Sequence, residues 1–106
     1  MNELKAKLLA ELRKIDGVDD RPSPVSGGTA LFYQGKPFAH FHNDNELDLR
    51  LTRTLIQQMG LSHPPGSVHH PGRSPNSAWI EIRFSTIGDL EEVAKLVRLA
   101  VAELRG

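Results

Sequence analysis

Three segments of the chain carry apolar residues at the three- and four-residue spacing that forms one face of an α-helix. The first follows Asn2, a residue suited to capping, and ends before Gly17, a residue suited to a left-handed stop. The second covers residues 52–59, with Thr52 as its possible cap, and the last begins at Thr86, which forms a capping-box pattern with Asp89. The apolar positions are Leu4, Leu8, Leu12 and Ile15, then Leu55, Ile56 and Met59, then Ile87, Leu90, Val93, Leu96, Val97, Ala100, Val101 and Leu104.

The segments between these helices have the composition and alternation of β-strands. A short turn at residues 34–35 joins the first two strands as a hairpin, and the proline-containing residues 18–28 are predicted as a connection or an edge strand. The predicted strands are residues 29–33, 36–42, 47–51 and 78–84. Within the hairpin we expect Phe32 opposite Pro37 and Ala30 opposite Ala39, with Ala30, Phe32, Ala39 and Phe41 facing the core.

The turn between the second and third predicted strands sets their register, because a slip of one residue would exchange the two faces of the sheet. A three-residue loop over residues 44–46 places Asp48 opposite His42. It also places Leu49 opposite Phe41, whereas a loop of even length would set the leucines beside the histidines. The hydrophobic pattern therefore predicts the three-residue loop.

Together these elements predict an α+β fold in the order α-β-β-β-α-β-α. Its short antiparallel sheet would have three to five strands, with the helices packed on one face. The chain has 106 residues, the size of one domain, and no linker divides it. We therefore treat residues 1–106 as a single α+β domain.

Composition and charge exclude several classes of function. The chain has no cysteine, which excludes thiol catalysis, cysteine-bound zinc and iron–sulfur clusters and favours a reducing compartment. Thirteen basic residues balance thirteen acidic ones, so the basic excess on which nucleic-acid binding usually depends is missing. No stretch is apolar enough for a signal peptide or a membrane span, and we expect a cytoplasmic protein without a membrane partner.

Two histidines on one predicted strand are the main chemical signal. His40 and His42 alternate with core-facing residues, and side chains two apart on a strand lie about 7 Å apart on one face. Asp48, across from them, can orient an imidazole through its second nitrogen. We take His40, His42 and Asp48 as candidate catalytic residues and Arg50 as a ligand-binding residue. The two histidines are also the candidate ligands of a metal ion, which would need a third ligand.

A long loop and a tryptophan add to this predicted face. Residues 61–77 are rich in Pro, Gly, Ser and His, and long loops of this kind are often functional. From this loop His69 and His70 could reach over the sheet as ligand-binding residues, and Trp79 could form an aromatic wall. Tyr33 and Phe38 are expected on the same outer face, which would then combine apolar and polar groups as binding sites do.

Each of these features also has a purely structural interpretation. Outer sheet faces with histidines are common, and their charges pair across strands. The tryptophan could cover the sheet edge as a packing group, and the loop histidines could be solvated. Arg50 and Arg83 could bind an anionic group through two hydrogen bonds, but pairing across strands with Asp48 or Glu81 is the structural expectation.

Several motifs resemble those of one protein family. Residues 39–42, Ala-His-Phe-His, precede Leu-Asp-Leu at 47–49, like a His-x-His strand that leads to an aspartate. Residues 69–70 and 75–80 resemble a His-rich loop closing on a Pro-x-Ser-Gly-Trp-Val strand start, and residues 91–101 resemble a closing helix. Over residues 27–104 the chain resembles the luciferase domain family of small bacterial and fungal proteins. The resemblance implies the fold and the polar constellation, with Ser77 as a further ligand-binding residue, and does not imply light emission or a flavin-dependent luciferase barrel.

Three functions are compatible with this sequence. The first is a small-ligand binder or enzyme centred on His40, His42 and Asp48, with the loop histidines and Trp79 as a lid. The second is a protein-interaction module that uses the same sheet face or its edge. The third is nucleic-acid binding, which similar small α+β folds perform but which the zero net charge does not favour. No motif identifies a cofactor.

Overall fold

The computed structural model describes residues 3–22, 28–61 and 78–105, with only the backbone at positions 42 and 43. Its elements are α1 (Leu4–Leu12), β1 (Val18–Pro22), β2 (Thr29–Tyr33), β3 (Lys36–Asn43), β4 (Glu46–Arg50), α2 (Arg53–Gln58), β5 (Trp79–Arg83) and α3 (Ile87–Arg105). The five strands form an antiparallel sheet in the order β1-β2-β3-β4-β5. The predicted α+β class and element order are confirmed. Residues 18–28 were predicted as a connection or an edge strand, and β1 within them is an edge strand of the sheet.

One face of the sheet carries an unbroken apolar row. Leu31, Ala39, Leu49 and Ile80 stand directly opposite one another on β2 to β5, and none is more than 2% exposed. α1 contacts α3 and β1, and α3 also contacts β4, so these two helices pack together against the sheet. Burial of apolar surface, worth roughly 25 cal/mol per Å², is the main force that holds this layer together. The helices add Leu8, Leu12, Val93, Val97 and Val101 to the same buried cluster.

A β-bulge in the hairpin changes which residues of β2 face the core. Phe32 lies opposite Pro37, as predicted, but the next pair is Leu31 with Ala39. Phe38 is the extra residue on β3, and it is fully buried. Because two residues of β3 then oppose one of β2, the bulge exchanges the faces of β2 relative to a regular hairpin.

Three predictions about this hairpin are therefore wrong. Ala30 is paired with His40 and not with Ala39, and neither Ala30 nor Phe32 belongs to the core cluster. Leu31 and Tyr33 belong to it instead. Tyr33 and Phe38, expected on the outer face, are buried in the core cluster as well.

A second bulge lies at the end of β3. Asn43 pairs with Glu46, so the turn contains only Asp44 and Asn45, and the predicted three-residue loop is wrong. His42 is the extra residue of this bulge. A two-residue turn alone would place the leucines of β4 on the same face as the histidines of β3. The extra residue of the bulge shifts the register by one, so that the hydrophobic and polar residues lie on the faces that the sequence pattern predicts.

The second bulge also changes the partner of the central aspartate. Asp48 lies opposite His40, and not opposite His42 as predicted. Leu49 correspondingly lies opposite Ala39. The faces of β3 and β4 are those expected, but each pair is displaced by two residues, since the loop prediction did not include a bulge.

The starts of α2 and α3 are capped by the predicted side chains. Thr52 Oγ1 accepts a hydrogen bond of 3.1 Å from the backbone N–H of Leu55. Asp89 Oδ2 accepts from the backbone N–H groups of Ser85 and Thr86 at 2.9 and 3.0 Å, and Thr86 Oγ1 accepts from the N–H of Asp89 at 3.2 Å. These backbone donors hold the pKa of Asp89 below its usual value. Within the described ranges, no helix has both the length and the apolar character that crossing a membrane requires.

The first helix is shorter than its pattern predicts. α1 ends at Leu12, and the backbone N–H of Ile15 donates to the Leu12 carbonyl at 3.1 Å in the turn that follows. Gly17 has φ +86° where the chain enters β1, and a Cβ there would lie 2.7 Å from Cε1 of Tyr33. Gly17 therefore serves a turn and a close packing contact rather than a helix stop. The predicted cap Asn2 lies outside the described residues.

Candidate functional site

The sheet face opposite the apolar row carries three cross-strand rows of mostly polar residues, which we call the polar face. The alternation of side chains along each strand sends every second residue to this face. The candidate residues His40, Asp48, Arg50 and Trp79 all belong to it. Its central row is Ala30, His40, Asp48 and Glu81, and its flanking pairs are Arg50 with Trp79 and Glu46 with Arg83.

Two carboxyl groups lie buried at the centre of the polar face. Asp48 and Glu81 stand directly opposite each other on β4 and β5, and each is 1% exposed. Ionisable side chains are rarely buried without partners, because taking a charge out of water costs free energy. Glu81 was not among the candidate site residues. The alternation of β5 placed it on this face, but no local pattern indicated its depth.

His40 connects this buried centre with solvent. Its Nε2 atom lies 3.7 Å from Oδ2 of Asp48, and the His40 side chain is 25% exposed. This distance is longer than a direct hydrogen bond, and it brings the imidazole and the carboxyl group into close contact. His40 can thus meet a molecule from solvent while it contacts a buried carboxyl group.

Trp79 lies beside the imidazole. The ring centroids of His40 and Trp79 are 5.9 Å apart, and the ring planes are inclined by 49°. Trp79 is half-buried, and its backbone partner Arg50 is exposed. A half-buried indole next to a partly exposed imidazole offers an apolar surface and a polar group to the same ligand.

The far end of the polar face carries an ion pair. Arg83 Nη2 lies 3.4 Å from Oε2 of Glu46, directly across from it on β4. The arginine is largely exposed and the glutamate nearly buried. This is the cross-strand charge pairing that the structural interpretation anticipates, although the sequence pointed to Asp48 or Glu81 as the partner. The pair delimits the candidate site on that side.

Several predicted site residues lie outside the described part of the chain. They are the side chain of His42 and the loop residues His69, His70 and Ser77. Their predicted roles remain predictions. Among the described residues, no group of three or more His, Asp or Glu side chains is arranged to hold a metal ion. A metal site at His40 and His42 therefore also remains a prediction.

The described arrangement has a definite chemical capacity. An imidazole that can gain or lose a proton near neutral pH is the commonest general acid or base in proteins. A carboxylate at its side can fix the ring and balance its charge. The indole provides a surface against which a small molecule could be held. These groups come from β3, β4 and β5, whose backbone pairing makes their positions rigid.

Comparison with known protein families gives a match. A family model described as Luciferase domain matches residues 35–100, which is more than half of the chain. The matched segment includes His40, Asp48 and Glu81 of the central row and both flanking pairs, but not Ala30. Neither the curated proteins nor the solved structures contain a significant match to this chain. The antiparallel five-stranded sheet is also unlike the parallel eight-stranded barrel of flavin-dependent luciferases.

Proposed function

The chain belongs to the luciferase domain family, and we propose that its polar face binds a small polar molecule and exchanges a proton with it through His40. The observation that carries this proposal is the 3.7 Å approach of a partly exposed imidazole to a buried carboxylate. In this proposal His40 is the catalytic residue, because it can touch the ligand. Asp48 is a positioning residue, because it acts through the imidazole.

The other predicted residues have roles around this centre. Trp79 forms one wall against the ligand, since its ring already contacts that of His40. Arg50, exposed on the same face, would bind an anionic group of the ligand. His42, His69, His70 and Ser77 keep their predicted roles in catalysis and ligand binding as part of the same proposal.

The protein has a built-in reporter for this test, because Trp79 is its single tryptophan. Its fluorescence would be titrated with a panel of small metabolites that includes carboxylates, phosphates, amines and sugars. We expect some members to change the emission of the wild type and to lose at least tenfold in affinity in His40→Gln. Lys36→Gln, an exposed change on the same strand, is the matched control and should bind normally. If every compound that binds does so equally well to His40→Gln, the proposal is wrong.

The β1 edge of the sheet is poorly suited to the alternative of a protein-interaction module. β1 ends in Pro22, which cannot donate a hydrogen bond to an added strand. Arg21 pairs with Asp19 at 2.9 Å, and Arg13 forms two bonds of 2.8 and 3.0 Å to Asp20. Charged side chains and proline are the usual means by which edge strands resist pairing. A partner protein retained by the wild type but lost in Trp79→Ala would favour the alternative through the polar face.

A further inference from the structure

A groove of about 570 Å³ lies between α1 and α3. It is on the helical side of the sheet and is separate from the polar face. Buried Leu90 and Ala94 form its floor on α3. The charged residues along its two rims are Lys7 and Glu11 on α1, and Glu91 and Arg98 on α3. The groove thus has a short apolar floor and equal numbers of positive and negative charges.

An apolar side chain stands at one end of this groove without cover. Ile87, the first residue of α3, is 63% exposed and lines the groove. Its exposure is the largest of any large hydrophobic residue in the described ranges. Removal of an apolar side chain such as that of isoleucine from water lowers the free energy. The groove therefore has an anchor position as well as a floor.

The residues along this side of α3 form one continuous stripe. With 100° between successive residues, positions 87, 91, 94, 98 and 102 fall on a single face of the helix. Both ends of the stripe are apolar, with Ile87 at the start and exposed Ala102 near the end. The small Ala94 lies near its middle, where it would allow another helix to approach closely.

The charges of this stripe are complementary to those of a second copy of the stripe that runs in the opposite direction. Glu91 and Arg98 lie at equal distances, about 5 Å, on either side of the midpoint between residues 94 and 95. A second α3 packed antiparallel about a two-fold axis at that point would set each Glu91 opposite an Arg98. The same axis would set Ile87 against Ala102. Parallel packing would instead set like charges together.

We infer that the α1–α3 groove is the interface of a homodimer in which two α3 helices pack antiparallel across a two-fold axis. An isologous contact of this kind needs a patch that is complementary to itself, and the stripe from Ile87 to Ala102 is such a patch. The stripe is about 22 Å long, which is small for a stable dimer. The dissociation constant is therefore expected on the order of 100 µM.

Sedimentation equilibrium of the full chain between 10 µM and 1 mM tests this inference. The wild type should pass from monomer to dimer over this range. Glu91→Arg and Arg98→Glu each set like charges opposite one another at two places, so each alone should dimerise at least about tenfold more weakly. An equimolar mixture of the two variants should regain dimerisation, because each heterodimer again has Arg opposite Glu at both places.

Glu92→Arg is the matched control, because it makes the same charge change on an exposed neighbouring position away from the stripe. It should dimerise like the wild type, and circular dichroism should show that all variants are folded. A wild type that stays monomeric at 1 mM overturns the inference. A mixture of Glu91→Arg and Arg98→Glu that stays monomeric also overturns it, as does an equal loss of dimerisation in the control. None of these outcomes depends on ligand binding at the polar face.

Discussion

Nε2 of His40 lies 3.7 Å from Oδ2 of Asp48, and this contact joins a side chain that is 25% exposed to one that is 1% exposed. The two residues stand directly opposite each other on β3 and β4. Their relative position is therefore set by backbone pairing rather than by a loop. The neighbouring Glu81 extends the same row into β5.

Replacement of the buried aspartate should affect stability more than replacement of its exposed neighbour. Asp48→Asn keeps the size of the side chain but removes its charge, and it should lower the free energy of unfolding by about 1–3 kcal/mol. Arg50→Gln, an exposed change two residues along β4, should alter it by less than about 0.5 kcal/mol. Urea denaturation measures both values. Equal effects of the two substitutions would show that burial of Asp48 does not matter energetically.

The bulge in the hairpin predicts different costs for two phenylalanines. Phe38 is fully buried, so Phe38→Ala should cost about 3–5 kcal/mol of unfolding free energy. Phe32 is only half-buried, and the guanidinium of Arg21 lies 5.0 Å from its ring centroid. Phe32→Ala should therefore cost less than half as much. A larger loss at Phe32 than at Phe38 would indicate the regular hairpin without a bulge.

Two glycines with the same backbone conformation allow the cost of backbone strain to be measured separately from the cost of a steric clash. Gly17 and Gly35 have φ of +86° and +84°, so alanine at either position is strained by about 1–2 kcal/mol. A Cβ at Gly17 would lie 2.7 Å from Cε1 of Tyr33, whereas nothing lies within 4 Å of a Cβ at Gly35. Thermal unfolding should therefore show a larger loss for Gly17→Ala than for Gly35→Ala. Equal losses would contradict the close contact between Gly17 and Tyr33.

The lowered pKa of Asp89 predicts how stability changes in acid. A carboxyl group whose pKa is lower in the folded than in the unfolded chain stabilises the fold at every pH above its pKa in the unfolded chain, which is about 3.9. That contribution is lost as the pH falls through the lowered folded value. The stability difference between the wild type and Asp89→Asn should therefore be constant above about pH 5 and shrink below about pH 4. A difference that stays constant from pH 7 to pH 2 would contradict the capping role of the charged group.

The sequence pattern was sufficient to predict the helices and strands and, for most strand residues, the face of the sheet on which they lie. Alternation of Leu47 and Leu49 with Asp48 identified the two sides of β4, and Thr52 marked the start of α2. The two bulges were not predictable from the sequence. Their extra residues are Phe38 and His42, and neither is a glycine, the residue type that often marks a bulge. They moved Leu31 into the core and changed the residue that lies opposite Asp48.

The depth of the candidate site was not predictable for a different reason. Alternation along a strand tells which face a residue is on, but burial depends on whatever covers that face from distant parts of the chain. Asp48 and Glu81 have the sequence pattern of solvent-facing residues, yet both are buried. This departure from the local pattern is itself a reason to look for function at the polar face.

The most direct test of the central claim is the imidazole NMR spectrum of the protein during titration with the same panel of small molecules. Assignment by His40→Gln identifies the His40 ring among the five histidines. We predict that a compound bound at the polar face shifts the His40 resonances, and that the folded Asp48→Asn variant loses most of its affinity for that compound. Compounds that bind the protein and leave the His40 resonances unchanged would contradict the account.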